Sequence, residues 1–277
     1  MFNVLELLSK TEEFFKSKNI PDPKLDAQLL LCEVLKCKRL DLFLMFDKPL
    51  TQEQVDLFRE YVRRRAKREP LQYIVGEVDF FNIKISCDKR ALIPRPETEE
   101  LCDIICTKYF FDKTQQLKIL DLGTGTGAIA LGLANHFENA KVLAVDKSAD
   151  ALALAKENCE KLGLNGRVEF LLSDWFENVN GKFDIIISNP PYLTEEEVSS
   201  AQDEVKNYEP LSALQSDNEG FCDIEKIINK AFEFLNSDGK LFLETGINHA
   251  EKIQKTERAS FEIIKDSSQR DRFAVLS

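Results

Sequence analysis

The sequence predicts an α/β protein: a small all-helical N-terminal domain, a β-hairpin linker, and a C-terminal domain whose largely parallel sheet is covered on both faces. Three observations predict it. The first part of the chain shows helical spacing of apolar residues, the later part alternates short apolar runs with helical patterns, and a glycine-rich turn follows the first of those runs. The 277 residues make about two domains at roughly 150 residues each.

Each element has a local reason. Leu5, Leu8, Phe14 and Phe15 recur at helical spacing, and Leu25, Leu29, Cys32 and Leu35 form a second stripe, with Pro21 and Pro23 between them. Thr51 and Gln54 have the spacing of a capping box and open a helix to about Arg68, with Val55, Phe58 and Val62 on its apolar face and Pro70 as its stop. Gln72 to Pro94 is rich in aromatic and β-branched residues and reads as a hairpin with its turn at Phe81-Asn82-Ile83. The expected strands then run Lys118 to Leu122, Lys141 to Val145, Val168 to Leu172, Phe183 to Ser188 and Gly239 to Glu244, with two more at Phe261 to Ile264 and Phe273 to Leu276. Ser148 caps a helix that Gly163 ends, with Ala149, Leu152, Ala155 and Cys159 in one line. The expected domains are therefore 1–71, the linker 72–94, and 95–277.

Composition excludes several classes. Hydrophobic residues are 43% and charged residues 31%, which excludes disorder over most of the chain. No apolar run approaches the ~20 residues that span a bilayer, and Glu6, Glu12 and Glu13 stand where a signal peptide would be basic and then apolar. A cytoplasmic location and no membrane association are expected. Seven cysteines, an odd number without a C-x-x-C, suit a reducing compartment and read as buried thiols. With only His136 and His249, neither beside a cysteine pair at ligand spacing, no metal site is expected. The net charge of −11 argues against unspecific capture of nucleic acid. Residues 1–85 carry 15 basic and 14 acidic residues, whereas residues 86–277 carry 22 and 34, so the acidic excess lies in the C-terminal part.

The strongest local signal is Ile119-Leu-Asp-Leu-Gly-Thr-Gly-Thr-Gly-Ala128, an apolar strand running into a glycine turn and a helix. Glycines allow a tight turn and a close backbone approach, and the helix start offers unpaired N–H groups. Asp146, 23 positions after Gly123, has the spacing of a carboxylate that accepts both hydroxyls of a ribose. Asp121 would repel a pyrophosphate and welcome a cationic amino-acid moiety, so S-adenosylmethionine fits better than NAD. In Ser173-Asp-Trp-Phe176, Asp174 suits the adenine amino group and Trp175 an adenine or cofactor face, with plain core packing of Trp175 as the lesser alternative.

The apolar strand Phe183 to Ser188 ends in Asn189-Pro190-Pro191-Tyr192, which should face the same crevice as the glycine turn. Two prolines stiffen the backbone and remove its donors. The Asn189 side-chain oxygen and the Pro190 carbonyl are then placed to accept both hydrogens of an amide or aromatic NH2, with Tyr192 flanking the planar group. Such a nitrogen is a poor nucleophile because its lone pair is delocalised. Gripping its hydrogens and aiming it at a methyl group makes orientation the main catalytic device.

These segments, together with Leu92-Ile-Pro-Arg-Pro-Glu-Thr-Glu-Glu-Leu101, Pro23 to Leu31 and Glu69 to Gly76, resemble the peptide chain release factor glutamine methyltransferases, the HemK/PrmC family, over nearly the whole chain. The resemblance implies a Rossmann-like class I fold dependent on S-adenosylmethionine, with a seven-stranded, mostly parallel sheet. It implies methyl transfer to the side-chain amide nitrogen of the glutamine in the Gly-Gly-Gln motif of release factors. It assigns Gly123, Thr124, Gly125, Thr126, Gly127, Asp146, Trp175 and Asn189 to the cofactor, and Asn189, Pro190, Pro191 and Tyr192 to the glutamine amide. The helical domain would help engage the release factor. Arg95 and Glu97 lie in a loop that such proteins place by the active site, where they would position substrate, close the pocket or simply form a salt-bridged connection from linker to domain. Leu243-Glu-Thr-Gly246 departs from the pattern, because an apolar residue is expected at Thr245. The segment Gln269 to Phe273 resembles the family's terminal hairpin.

Two other methyl acceptors share the chemistry: a ribosomal protein glutamine, disfavoured by Arg95-Pro-Glu-Thr98, and the N6 of adenine in DNA, disfavoured by the acidic catalytic part. A non-enzymatic alternative is an RNA-binding module built on Arg63-Arg-Arg-Ala-Lys-Arg68 with an idle methyltransferase fold; the same run also reads as the solvated end of a helix. A monomer that needs no nucleic acid is the expected working form.

Overall fold

The computed structural model describes residues 2–256 and 260–277. Two compact units emerge: the chain up to Gly76 together with Gln202–Tyr208, and Glu77–Ala201 together with Glu209–Ser277.

The first unit contains α1 (Val4–Ser17), α2 (Pro23–Leu35), α3 (Arg39–Leu44), α4 (Gln52–Ala66) and α5 (Leu71–Val75). The predicted box on α4 is present, with Thr51 and Gln54 each satisfying the other's backbone N–H. Its core joins Val4, Leu7, Phe15, Leu30, Leu31, Leu42 and Phe58. The expected stripe on α1 is rotated. Val4, Leu7, Thr11 and Phe15 are buried while Leu5 and Phe14 are exposed, because the apolar residues occupy two faces and only one meets α2. On α2 Cys32 is buried as expected, but the rest of the buried line shifts to Ala27, Leu30 and Leu31 and leaves Leu25 exposed, because the helix turns Asp26 inward.

Asp26 faces the basic run. Its Oδ2 accepts from Arg65 Nε at 2.6 Å, and Arg65 Nη1 pairs with Glu204 at 2.8 Å, all three side chains being buried. Burial pushes the Asp26 carboxyl up, although Arg65 opposes it. Arg64 grips Glu69 through two hydrogen bonds, Arg68 Nη2 lies 2.7 Å from Glu204, and the Tyr208 hydroxyl donates to the Lys67 carbonyl. Only Arg63 and Lys67 of the run remain exposed. Neither a basic patch nor a solvated helix end describes it: three of its arginines hold the unit together, and Gln202–Tyr208 supplies part of what they hold.

The second unit opens with the antiparallel hairpin β1 (Glu77–Phe80) and β2 (Ile83–Ser86). Its turn is Phe81-Asn82, both with positive φ, whereas Ile83 already pairs with Phe80 and Gln72 lies in α5. The main sheet comprises β3 (Lys118–Leu122), β4 (Lys141–Asp146), β5 (Val168–Leu172), β6 (Phe183–Ser188), β7 (Leu235–Glu244), β8 (Phe261–Lys265) and β9 (Asp271–Leu276). The spatial order is β5-β4-β3-β6-β7-β9-β8, parallel except for β9, which runs antiparallel to both neighbours. The seven-stranded, mostly parallel sheet is as expected; β7 starts earlier than its apolar run and carries an irregularity opposite Phe183–Ile185.

Alternate residues of each strand feed two apolar layers. Ile119, Ile185, Ile187 and Phe242 pack with α6 (Pro96–Ile104) and α7 (Ala128–His136), while Leu120, Leu122, Ile186 and Leu241 pack with the helix Cys222–Ala231. Ser148 caps α8 (Ala149–Lys161) and Gly163 follows it with φ +67°, as the sequence suggests; Ala149 is exposed, so the buried line begins at Ala151 and Leu152. The strand order reverses between β3 and β6, which opens a crevice beyond their carboxyl ends. None of the seven cysteines is in a disulfide, and five of them are buried. Among the described residues no helix is long and apolar enough to cross a membrane.

Candidate active site

A cavity occupies that crevice. Its wall combines Gly123 and Gly125 after β3, Asp146, Lys147 and Ser148 at the end of β4, Ser173, Asp174 and Trp175 after β5, and Asn189 and Pro191 after β6. Arg90, Ala91 and Leu92 close one side, and Pro210, Ser212 and Ala213 another.

Backbone donors shape the glycine turn. Gly123 and Thr124 both donate their N–H to the Val145 carbonyl, at 2.8 and 2.9 Å, which ties the turn to β4. Gly125 N–H reaches Asp146 Oδ2 and Ser148 N–H reaches Asp146 Oδ1, each at 2.9 Å. The Asp146 carboxylate is thus fixed in orientation with lone pairs left on both oxygens. Burial raises its pKa, and the backbone donors, Ser148 first, oppose the shift.

Asp121, Thr124, Thr126 and Gly127 lie under the turn, not on the cavity wall. Asp121 is fully buried, and its Oδ2 accepts from the Thr124 hydroxyl at 2.6 Å and from Ala130 N–H at 3.2 Å, while Oδ1 has no hydrogen-bond partner among the described residues. Burial pushes this carboxyl up to about 7 despite those donors, with Asp146 adding repulsion. The Thr126 carbonyl accepts from Asn158 Nδ2 at 2.9 Å. Gly127, at φ +83°, starts α7 where a Cβ would stand 3.1 Å from that of Ala155.

Trp175 has φ +47° and lays its ring beside Gly123, while its Nε1–H donates to Asp223 at 3.2 Å. It is half-buried, serving as wall and as packing at once. Burial pushes Asp223 up, but donors from Ser216, Lys226 and Trp175 outweigh it and hold the carboxyl below its ordinary value. Asp174 is exposed on the rim.

Ser188 Oγ donates to the Leu122 carbonyl at 2.7 Å, locking β6 to β3 where the Asn-Pro-Pro-Tyr turn begins. Asn189 Nδ2 donates to Thr98 Oγ1 at 2.9 Å, Thr98 Oγ1 donates to Glu244 Oε2 at 2.6 Å, and the Tyr192 hydroxyl donates to Glu244 Oε1 at 3.0 Å. Arg272 Nη1 reaches the Tyr192 hydroxyl at 3.4 Å and the Thr245 carbonyl at 3.0 Å. Glu244 is buried at the end of β7, which raises its pKa against the pull of Thr98, Tyr192 and Arg272. Burial, followed by the nearby Glu244, also raises that of Tyr192. Pro190 is buried and Tyr192 half-buried, beside Asn189 and Pro191 on the wall. Thr245, where an apolar residue was expected, keeps its place by bonding its N–H and hydroxyl to the Arg272 carbonyl.

Arg95 and Glu97 are in ion pairs away from the wall. Arg95 lies 2.5 Å from Glu209, whose other oxygen accepts Ile93 N–H, and Glu97 pairs with Arg270 at 3.2 Å. Sequence reasoning missed Arg90, Ala91, Lys147, Pro210, Ser212 and Ala213 on the wall and read Ser148 only as a cap. The partners that bring Pro210 to Ala213 back to the crevice, Arg95 and Ile93 with Glu209, are more than a hundred residues apart and leave no local pattern.

Known structures with this fold include a methyltransferase from Pyrococcus furiosus, at TM-score 0.50 and 22% identity over 69% of this chain and 86% of that one. Another is a Thermus thermophilus 16S rRNA methyltransferase solved with AdoMet and guanosine, at TM-score 0.50 and 20% identity over 72% and 48%. Residues 113–273 match the methyltransferase domain and residues 6–76 match the PrmC N-terminal domain. Fold and site together define a class I methyltransferase. Release factor glutamine methyltransferases are similar over almost the full length: that of Chlorobaculum tepidum is 37% identical over 98% of this chain and 96% of its own. That of Haemophilus influenzae is 38% identical over 99% and 98%. The chain belongs to the release factor glutamine methyltransferase family.

Proposed function

We propose that this chain transfers the methyl group of S-adenosylmethionine to the side-chain amide nitrogen of the glutamine in the Gly-Gly-Gln motif of peptide chain release factors. The observation that carries the reading is one cavity with two unlike walls, the glycine turn with Asp146 on one side and Asn189 with Pro191 on the other.

The residues present fit the cofactor. Asp146 offers two oriented oxygens to vicinal hydroxyls and the Trp175 ring a flat apolar wall, while Asp121, buried beneath the turn and off the wall, holds the turn in shape through Thr124 and Ala130 N–H. Asp174 on the rim is assigned to the adenine amino group. When bound, S-adenosylmethionine supplies an electrophilic methyl carbon on a sulfonium. Asn189 Oδ1 and the Pro190 carbonyl accept the two hydrogens of the target amide, which draws electron density toward its nitrogen and fixes its direction of approach. Pro191 and Tyr192 bound the planar group. The N–CH3 bond forms as the S–CH3 bond breaks, S-adenosylhomocysteine leaves as a neutral thioether, and one amide proton passes to solvent; the displacement calls for orientation, not for a Lewis acid or a strong base, so no metal enters this reading.

The helical unit takes part in engaging the release factor. Arg95 and Glu97, held in ion pairs, keep the substrate-side loop in shape. The engagement of Arg64, Arg65 and Arg68 inside the first unit counts against an RNA-binding module with an idle methyltransferase fold. The odd cysteine count without a C-x-x-C supports a cytoplasmic setting, and a monomer is the working form we assign.

The test is methyl transfer from labelled S-adenosylmethionine offered to intact release factor, to release factor with its Gly-Gly-Gln glutamine replaced, to ribosomal protein and to adenine-containing DNA. Label on intact release factor alone is the expected outcome. Label on ribosomal protein or DNA keeps the chemistry and overturns the substrate, and cofactor binding with no transfer to any acceptor overturns the reading as a whole.

A further inference from the structure

We infer that Thr98 and Glu244 are positioning residues that fix which end of the Asn189 amide faces the cavity, and so make the site selective for a group that donates two hydrogens. The inference rests on the functional reading above for its substrate, though not for its geometry.

A primary amide can turn over with almost no change of shape, exchanging acceptor for donor. Nothing in the Asn-Pro-Pro-Tyr turn itself decides between the two states. Thr98, in the first turn of α6, and Glu244, at the end of β7, are buried beside it. Glu244 accepts from both neighbours, from the Tyr192 hydroxyl on Oε1 and from the Thr98 hydroxyl on Oε2, 2.6 Å away, so the single hydrogen of Thr98 is committed to it. The hydroxyl then has only lone pairs left for Asn189. At 2.9 Å these match Nδ2–H and would repel Oδ1. Asn189 Oδ1 is therefore turned toward the cavity.

The other half of the network has the same polarity. Arg272 donates toward the Tyr192 hydroxyl, which donates to Glu244 Oε1. Two chains of donors, Asn189–Thr98 and Arg272–Tyr192, thus converge on one buried carboxylate. Neither Thr98 nor Glu244 is on the cavity wall, so both act through Asn189 and Tyr192. A cooperative, fully directed arrangement of this kind makes a wrong amide orientation costly, because flipping leaves a buried hydroxyl facing an oxygen.

The first measurement needs no substrate: hydrogen exchange of the Asn189 side-chain NH2, read by 15N NMR in the full-length protein. It should be at least ten-fold slower in wild type and Thr98→Ser than in Thr98→Val. The second is kinetic. Thr98→Val, which keeps shape but loses the hydroxyl, should lower kcat on release factor ten- to hundred-fold with the Kd for S-adenosylmethionine within two-fold, Thr98→Ser should restore kcat to within about three-fold, and Glu244→Gln should fall with Thr98→Val. Rapid exchange of the wild-type Asn189 amide overturns the inference even if Thr98→Val fails to fold. Wild-type turnover in Thr98→Val overturns it too, as does a Thr98→Ser variant as impaired as Thr98→Val, which would mark a packing role. A protected amide in a protein that does not methylate release factor supports the positioning role and overturns the substrate assignment instead.

Discussion

Gly220→Ala should damage the site from behind. Gly220 ends a turn in which Asn218, Glu219 and Gly220 all have positive φ, at +54°, +56° and +77°. A Cβ on Gly220 would stand 2.1 Å from the Tyr192 carbonyl oxygen and 2.8 Å from its carbon. Two costs add: about 1–2 kcal/mol for an L-residue in the left-handed region, and about 1–3 kcal/mol for overpacking against backbone that cannot swing aside. Gly163→Ala is the control, because Gly163 has φ +67° with nothing within 4 Å of its missing Cβ, and so meets the first cost alone. Urea unfolding followed by the fluorescence of Trp175, the one tryptophan in the chain, reports on the methyltransferase unit. Gly220→Ala is expected to lose about 1–3 kcal/mol more than Gly163→Ala. A displacement of Tyr192 by about 1 Å should cut kcat roughly a hundred-fold, while Gly163→Ala keeps wild-type kcat. Equal stability and equal turnover in the two variants would refute the claim that this turn buttresses the Asn-Pro-Pro-Tyr segment.

Three further outcomes follow from the geometry. Asp146→Asn must set an NH2 against either Gly125 N–H or Ser148 N–H, so its affinity for S-adenosylmethionine should drop about ten- to hundred-fold by calorimetry; an unchanged Kd would remove Asp146 from the cofactor site. Asp121 has a folded-state pKa of about 7 against an ordinary 3.8, so the native state holds this proton more tightly than the unfolded chain does. Its contribution to the stability of the cofactor-free protein is therefore fully present below about pH 4 and is lost as pH rises through about 7; Asp121→Asn should gain on wild type across that window, and parallel pH profiles would contradict the assignment. Arg65→Ala leaves Asp26 buried without its cation and Glu204 with Arg68 alone, and should cost about 3–5 kcal/mol. Arg63→Ala, on an exposed neighbour, should stay within about 0.5 kcal/mol, and equal losses would show that the run acts through its total charge.

What was legible in the sequence was what a few adjacent residues decide. Apolar runs ending in a glycine turn, an acid or Asn-Pro-Pro gave the strands and the cavity's two main walls, and Thr51, Ser148 and Gly163 marked helix ends through their own backbone bonds. Facing was harder: α1 carries apolar residues on two sides, and only packing against α2 chooses Val4, Leu7 and Phe15 over Leu5 and Phe14. Long-range polar pairing was invisible. Thr98 and Glu244 are 146 residues apart, and Arg65 meets Asp26 across 39. A basic run looks the same in one dimension whether it faces solvent or is neutralised by acids brought from elsewhere.

The chain crosses from one compact unit to the other three times, after Gly76, Ala201 and Tyr208. Residues 1–76 therefore do not form a cassette that can be excised, grafted or expressed as they stand: such a fragment would lack Glu204, the acid that Arg65 and Arg68 share, and Tyr208, the donor to the Lys67 carbonyl. A single protease cut at Gly76 would leave two pieces still threaded together by the seven residues of Gln202–Tyr208, so separating them requires unfolding as well as cleavage. In this chain, recombination that swaps the first unit would have to exchange two gene segments at once.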